Sequence, residues 1–185
     1  MKRTLPTVQR TRSTSRRRAE RPVAPRERAT PPKPLITIGY ANHAREAGQL
    51  ATKLCAALTA RGVAVGALIV QSGGEPAAEV SVGSFLEAGA QAAKSVLVPA
   101  SGAAEVLAEA LERLRDPAVV VGIGNALALF YQPFFSIVVS GHRRQLIADD
   151  TQILKADLEL TAPSDGLPDE LAKILQSRLN AAPPP

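Results

Sequence analysis

Residues 35–54 read LITIGYANHAREAGQLATKL. The apolar run 35–38 is strand-like and ends at Gly39, and from Glu46, seven residues later, the chain becomes helix-like. Leu50, Leu54 and Leu58 then recur at the spacing of one face of a helix. The stretch therefore predicts a strand, a loop that starts at Gly39 and an amphipathic helix, which together are the repeating unit of an α/β fold.

The same alternation continues to the end of the chain. We predict strands at 35–39, 63–70, 95–98, 118–122, 135–140 and 157–161. Most of them are near-continuous apolar runs, as expected for strands buried on both faces of a parallel sheet. Helices are predicted at 46–61, 82–90, 102–115, 125–131, 149–155 and 168–179. This order predicts a three-layer α/β sandwich with a mostly parallel, doubly wound sheet.

The composition fits one domain with a core of small aliphatic side chains. The chain has 185 residues, of which 45% are apolar and only 3% aromatic, so Ala, Leu and Val must fill the core. The single cysteine, Cys55, excludes an internal disulfide framework and fits a reducing compartment. No apolar run approaches the roughly 20 residues that span a bilayer, and no secretory signal follows the basic N-terminus. We therefore expect a cytoplasmic protein without a transmembrane segment.

Positive charge is concentrated at the N-terminus. Residues 1–34 contain 11 Lys/Arg and 2 Glu, a net charge of +9, whereas the remainder carries a net charge of −4. We predict that residues 1–34 form a disordered basic arm, followed by the α/β domain at 35–181 and a Pro-rich tail at 182–185. Such an arm is typical of binding to nucleic acid or anionic lipid. A solvated extension, a start-site artefact and a transit segment are the alternatives.

Several polar side chains follow the predicted strands. Ligands of an open parallel sheet bind beyond the carboxyl ends of its strands. Both histidines, His43 and His142, fall at that edge, and so does the only Arg–Arg pair of the predicted domain, Arg143 and Arg144. A cationic, hydrogen-bonding edge favours a phosphate or carboxylate ligand, although loops are polar in most proteins whether or not they bind anything.

The loop after the first strand resembles a phosphate-binding P-loop, G-x-x-x-x-G-K-[ST]. Gly39 matches the first glycine of that motif. Ala44, Arg45 and Glu46 stand at the positions of the second glycine, the lysine and the hydroxyl residue. The motif alone is therefore a weak match.

A longer stretch resembles the P-loop protein MobB of molybdenum-cofactor biosynthesis, whose family reads roughly as a GYSNSGKTTL loop, a helix, then RG and a second strand. Residues 81–92, SVGSFLEAGAQA, look like that family's D-S-x-R-x-x-E-A-G-A segment. Residues 119–127, VVVGIGNAL, are similar to the strand that ends in an E-G motif in related domains. The resemblance covers residues 35 to about 140 and implies a P-loop NTPase-like fold.

The departures from the family pattern argue against catalysis. Glu46 cannot hold Mg²⁺ as a hydroxyl does and would repel a phosphate, Arg45 lacks the slim reach of lysine, and Ile123 replaces an acidic residue of the family. We therefore expect no catalytic residue, no metal ligand and no efficient hydrolysis. The resemblance and the cationic edge imply binding of GTP or a molybdopterin-type ligand. The residues expected to contact this ligand are Gly39, Asn42, His43, Arg45, Arg143 and Arg144.

Aromatic side chains cluster in one segment, 129–135, which reads LFYQPFF. It contains four of the six aromatic residues of the chain: Phe130, Tyr131, Phe134 and Phe135. The segment predicts either a packed corner that closes the core or an apolar patch for a protein partner or a second copy.

Two functions therefore remain open on the sequence alone. The first is a MobB-like accessory protein of molybdenum-cofactor assembly that binds a nucleotide or another phosphate-bearing ligand without efficient hydrolysis. The second is a non-catalytic interaction module that uses the P-loop fold as a scaffold. It would bind nucleic acid or a protein partner through residues 1–34 and the aromatic segment 129–135.

Overall fold

The computed structural model describes residues 27–41, 43–73, 78–140, 156–161 and 163–181. The strands are β1 (Leu35–Ala41), β2 (Val65–Ser72), β3 (Ala92–Val98), β4 (Val119–Ile123), β5 (Phe135–Ser140) and β6 (Leu158–Leu160). The helices are α1 (Ala44–Ala60), α2 (Val82–Glu87), α3 (Ala103–Glu112), α4 (Asn125–Phe130) and α5 (Leu167–Ala181).

The strands form one six-stranded sheet in the order β3-β2-β4-β1-β5-β6. All of its pairs are parallel, which confirms the predicted α/β class and its parallel sheet. Each of the six predicted strands is present. The helix predicted at 149–155 lies outside the described residues, as do most of the predicted arm and the tail 182–185.

Helices cover both faces of the sheet, and each face has its own apolar core. The α1 core lies under α1, α2 and α5 and includes Leu54, Phe85 and Leu175. The α3 core lies under α3 and α4 and includes Leu107 and Leu127. Strand side chains alternate between the two cores, because successive residues of a strand point to opposite faces. The three layers match the predicted sandwich.

The folded part begins before residue 35, the predicted domain boundary. Ala29 forms an isolated parallel bridge with Tyr131: its N–H donates to the carbonyl of Phe130 (2.8 Å), and its carbonyl accepts from the N–H of Gln132 (2.9 Å). Arg28 reaches the carbonyl of Ala128 at 3.5 Å. Arg28 and Ala29, assigned to the arm by their composition, thus lie against the α4–β5 corner.

The aromatic segment 129–135 is divided between the two cores. Phe130 and Tyr131 are buried in the α3 core. Phe135 is buried in the α1 core, and Phe134 packs on that core while half-buried. Arg178 of α5 lies over the ring of Phe135, 5.1 Å from its centroid. This burial favours the packed corner over an exposed partner patch.

Candidate functional site

By its topology, the carboxyl edge of the sheet changes direction between β1 and β4, and the space outside these two strand ends is called the crevice below. These two strands are hydrogen-bonded neighbours, yet α1 leaves β1 on one face and α4 leaves β4 on the other. Neighbouring strands whose connections diverge in this way create the position where open α/β sheets bind ligands. The crevice is therefore the first place to examine for a site.

The connection from β1 to α1 is shorter than predicted. β1 continues to Ala41 and α1 begins at Ala44, so only residues 42 and 43 separate them. Gly39 lies inside β1, opposite Val138 of β5. The prediction that the loop starts at Gly39 is wrong, and the connection is too short to wrap around a phosphate as a P-loop does.

β1 extends beyond its neighbour β4 because it stays paired with β5 as far as Ala41, and on the β4 side Asn125 takes the place of the missing strand. Its side-chain amide donates to the carbonyl of Tyr40 at 3.0 Å, and its Oδ1 accepts from the N–H of Tyr40 at 2.9 Å. The side chain therefore bonds the backbone of β1 just where β4 has ended. A Cβ atom at Gly39 would lie 2.9 Å from this Oδ1, so a larger residue there would crowd the amide.

The turn that presents Asn125 requires a second glycine. Gly124 has φ +128°, and a Cβ atom on it would lie 2.3 Å from the carbonyl oxygen of Val70 in β2. Both the dihedral angle and the close approach exclude larger residues. The Gly-Asn pair after β4 belongs to the stretch VVVGIGNAL noted in the sequence, but its contact with Tyr40, 85 residues away, has no local signal.

The amino end of α1 borders the crevice. Helix N-termini leave backbone N–H groups without partners, and the N-cap residue His43 makes no side-chain capping bond. Arg45 is exposed in the first turn. Glu46 accepts a hydrogen bond from its own backbone N–H, which, with His43 at 3.5 Å, holds the pKa of its carboxyl below the usual range. A carboxylate thus lies where the amide groups would receive an anion.

A small hollow of about 90 Å³ lies beside this helix end. Glu46, Gln49 and Lys53 of α1 line one wall, and the loop before α5 supplies Ser164 and Asp165. Lys53 donates to Asp165 at 2.8 Å, and this bond lowers the pKa of the Asp165 carboxyl. Both partners are largely exposed, so the pair contributes little stability. No motif of the sequence indicates Lys53.

The structure brings together only part of the predicted anion site. His43 and Arg45 lie at the start of α1, whereas Gly39 serves the packing of Asn125. Asn42, Arg143 and Arg144 lie outside the described residues, and so does His142. Within the described ranges no three His, Cys, Asp or Glu side chains group as metal ligands do, and no helix there has the length and apolarity to cross a bilayer.

Cys55 belongs to the α1 core rather than to a site. Its side chain is buried among core residues of α1, and burial raises the pKa of the thiol. A neutral, inaccessible thiol is a poor nucleophile.

Comparisons with known proteins give no relative from which to transfer a role. No protein-family model matches the chain, and neither the curated proteins nor the solved structures contain a significant match. A functional assignment therefore depends on the residues and geometry described above.

Proposed function

We propose that this chain is a MobB-like accessory protein of molybdenum-cofactor assembly, which binds a phosphate-bearing ligand at the carboxyl edge of its sheet without efficient hydrolysis. The ligand class is a nucleotide such as GTP or a molybdopterin-type compound. The observation that carries the proposal is the amino end of α1, uncapped by His43, beside the crevice where β1 and β4 send their helices to opposite faces.

The short β1–α1 connection supports binding without hydrolysis. A phosphate at this helix end contacts the first-turn amides and the guanidinium of Arg45 from one side, without being enclosed. Glu46 supplies no hydroxyl for Mg²⁺ and places a negative charge next to the phosphate. Phosphoryl transfer depends on a metal and on cations around the transferring group, and the first turn of α1 provides one exposed guanidinium.

Calorimetric titration of the full chain with GTP, ATP and inorganic phosphate, with and without Mg²⁺, tests the proposal. We expect Arg45→Ala to weaken nucleotide binding about tenfold, the loss of one charge-assisted hydrogen bond. Glu46→Gln should strengthen binding because it removes the competing carboxylate. Mg²⁺ should have little effect, and nucleotide hydrolysis should not exceed the background rate.

Lys173→Ala is the matched control. Lys173 is also an exposed cation, but it lies on α5, so its removal changes the net charge equally and should leave the affinity unchanged. Equal losses in Arg45→Ala and Lys173→Ala would show that binding is only general charge attraction. No binding at millimolar ligand would refute the proposal.

The interaction module has less support from the described residues. Its aromatic segment is buried, and Arg28 and Ala29 of this chain lie against the same corner. Residues 1–26 of its basic arm lie outside the described ranges. It remains the alternative if the titrations show no binding, and it predicts salt-dependent binding to nucleic acid that is lost on deleting residues 1–26.

A further inference from the structure

β3 is the outer strand of the sheet at one side. It pairs with β2 along residues 92–98, and no other described strand lies beside it. It is seven residues long, about 23 Å at the usual rise of a strand. An unpaired edge of this length exposes backbone groups that can pair with another strand.

The alternation of side chains shows which backbone groups face outward. In a parallel sheet, the face that a side chain points to fixes the direction of the N–H and C=O of that residue. Ile38, in the α1 core, directs its carbonyl toward β4, where it accepts from Gly124. Residues that face the α1 core therefore point toward the β3 side of the sheet. In β3 Ala93 faces that core, so Ala93, Ser95 and Leu97 direct their backbone groups away from β2.

A groove of about 400 Å³ follows this edge. Val82 of α2 lies on one side, and Val106 and Ala110 of α3 lie on the other, with residues 93–96 at the base. Among the described residues with large exposed apolar side chains, Leu97 belongs to β3 itself and is 70% exposed. An open backbone edge that carries an exposed leucine is suited to pairing with another strand.

We propose that the β3 edge binds a second copy of this chain, with the two β3 strands antiparallel about a two-fold axis at Ser95. Ser95 then faces Ser95 of the partner subunit, and Ala93 faces Leu97 of the partner subunit. The Ser95 pair and the two Ala93–Leu97 pairs all join residues whose backbone groups point outward. Each pair exchanges two hydrogen bonds, so six hydrogen bonds extend the sheet across the interface. Each exposed Leu97 lies against a small alanine.

The charges of the groove favour a second copy over other occupants. In a two-fold interface the same surface of both subunits is in contact, so the residue on the axis must fit against the identical residue of the partner subunit. Ser95 is small and uncharged, and the groove wall has cations, Lys94 and Arg113, together with Glu109. The groove therefore suits neither the strongly basic arm nor a strongly acidic peptide as well as it suits a surface of mixed charge.

Sedimentation equilibrium of the full chain tests the association. We expect a dimer whose dissociation constant rises at least about tenfold in Leu97→Asp, because the pair with Ala93 of the partner subunit is lost. The matched control is Ile174→Asp. Ile174 is also a large exposed apolar residue, 47% exposed, but it lies on α5, away from the β3 edge. The control should remain dimeric.

Ser95→Pro tests the backbone pairing itself. Its N–H points away from β2, and proline is tolerated on an edge strand in that orientation. The variant should keep the circular dichroism spectrum of the unmodified protein and be monomeric. A wild-type chain that is monomeric at the highest concentration reached, or a dimer that survives both Leu97→Asp and Ser95→Pro, would overturn the proposal.

Cysteine cross-linking tests the register. Across the axis the Cα atoms of the Ser95 pair lie about 5.5 Å apart, within the range of a disulfide, whereas the two Leu97 residues lie four strand positions apart, about 13 Å. On oxidation Ser95→Cys should give a covalent dimer and Leu97→Cys should not. The native Cys55 is buried and does not interfere. The reverse pattern would rule out the axis at Ser95.

Discussion

Among single residues, Asn125 shows how one side chain can take over the role of a strand. β4 ends at Ile123, and the next hydrogen-bonding position along β1 is filled by the amide of Asn125, which bonds both backbone groups of Tyr40. β1 is paired with β5 on its other side as far as Ala41, so only residues 42 and 43 separate it from α1. A side chain at position 39 would crowd the same amide.

Gly39→Ala should lower the free energy of unfolding by about 1–3 kcal/mol, because the new Cβ displaces the Asn125 amide and leaves buried backbone groups unpaired. Asn125→Ala should cost a similar amount. Since both changes disrupt the same contact, the double variant should be clearly more stable than the sum of the two losses predicts. Urea unfolding of the four proteins measures this coupling, and strict additivity would show that Gly39 and Asn125 act independently.

At the level of elements, the succession of strands and helices was predictable because it depends on apolar periodicity alone. The six strands lie where the runs of Val, Ile and Leu placed them, and the α1 face of Leu50, Leu54 and Leu58 is buried as predicted. What could not be predicted is how the strand ends meet. The end of β1 depends on its pairing with β5 and on the Asn125 amide. Ala29 pairs with residues 130–132. Neither contact leaves a local pattern in the sequence.

The candidate site was predictable to the same extent. The carboxyl edge follows from the parallel sheet, so His43 and Arg45 were correctly placed near a helix start. Gly39 lies inside β1 rather than at the start of a loop, because the pairing of β1 with β5 continues to Ala41. Glu46 was recognised as a departure from the motif, whereas its bond to its own N–H depends on the backbone geometry at the start of α1.

Among the connections of the fold, we expect the β4–α4 turn to lose the most stability when its glycine is replaced by alanine. Gly124→Ala should lower the free energy of unfolding by about 3 kcal/mol or more, since a strained φ and a clash with the carbonyl of Val70 are combined. Gly62→Ala is the control, because Gly62 also has a positive φ, +78°, but has open space around it. It should cost only about 1 kcal/mol. Equal losses in urea unfolding would contradict the described contact.

On the scale of the whole molecule, the folded unit includes residues that the composition assigns to the arm. Ala29 exchanges two backbone hydrogen bonds with the α4–β5 corner, and Arg28 adds a contact to Ala128. Arg28 and Ala29 therefore lie at the corner that precedes β5, whereas the candidate anion site lies at the carboxyl ends of the strands.

Two truncations locate the start of the domain. Deletion of residues 1–26 should leave the thermal unfolding midpoint nearly unchanged, because every contact of Arg28 and Ala29 is kept. Deletion of residues 1–30 should lower the free energy of unfolding by about 1–3 kcal/mol through the loss of two backbone hydrogen bonds. Calorimetry of both proteins makes the comparison, and equal stabilities would return the boundary to residue 35.

The pairing of the first helix with the last has a consequence for synthesis on the ribosome. α5 packs against α1, and Gln176 donates to the carbonyl of Arg61 at 3.0 Å across that contact. Until α5 has left the exit tunnel, the apolar residues of the α1 core that Leu171 and Leu175 later cover stay open to solvent. Each strand pairing also joins distant parts of the chain, which slows folding. Until α5 is made, the nascent chain therefore exposes apolar surface that favours aggregation.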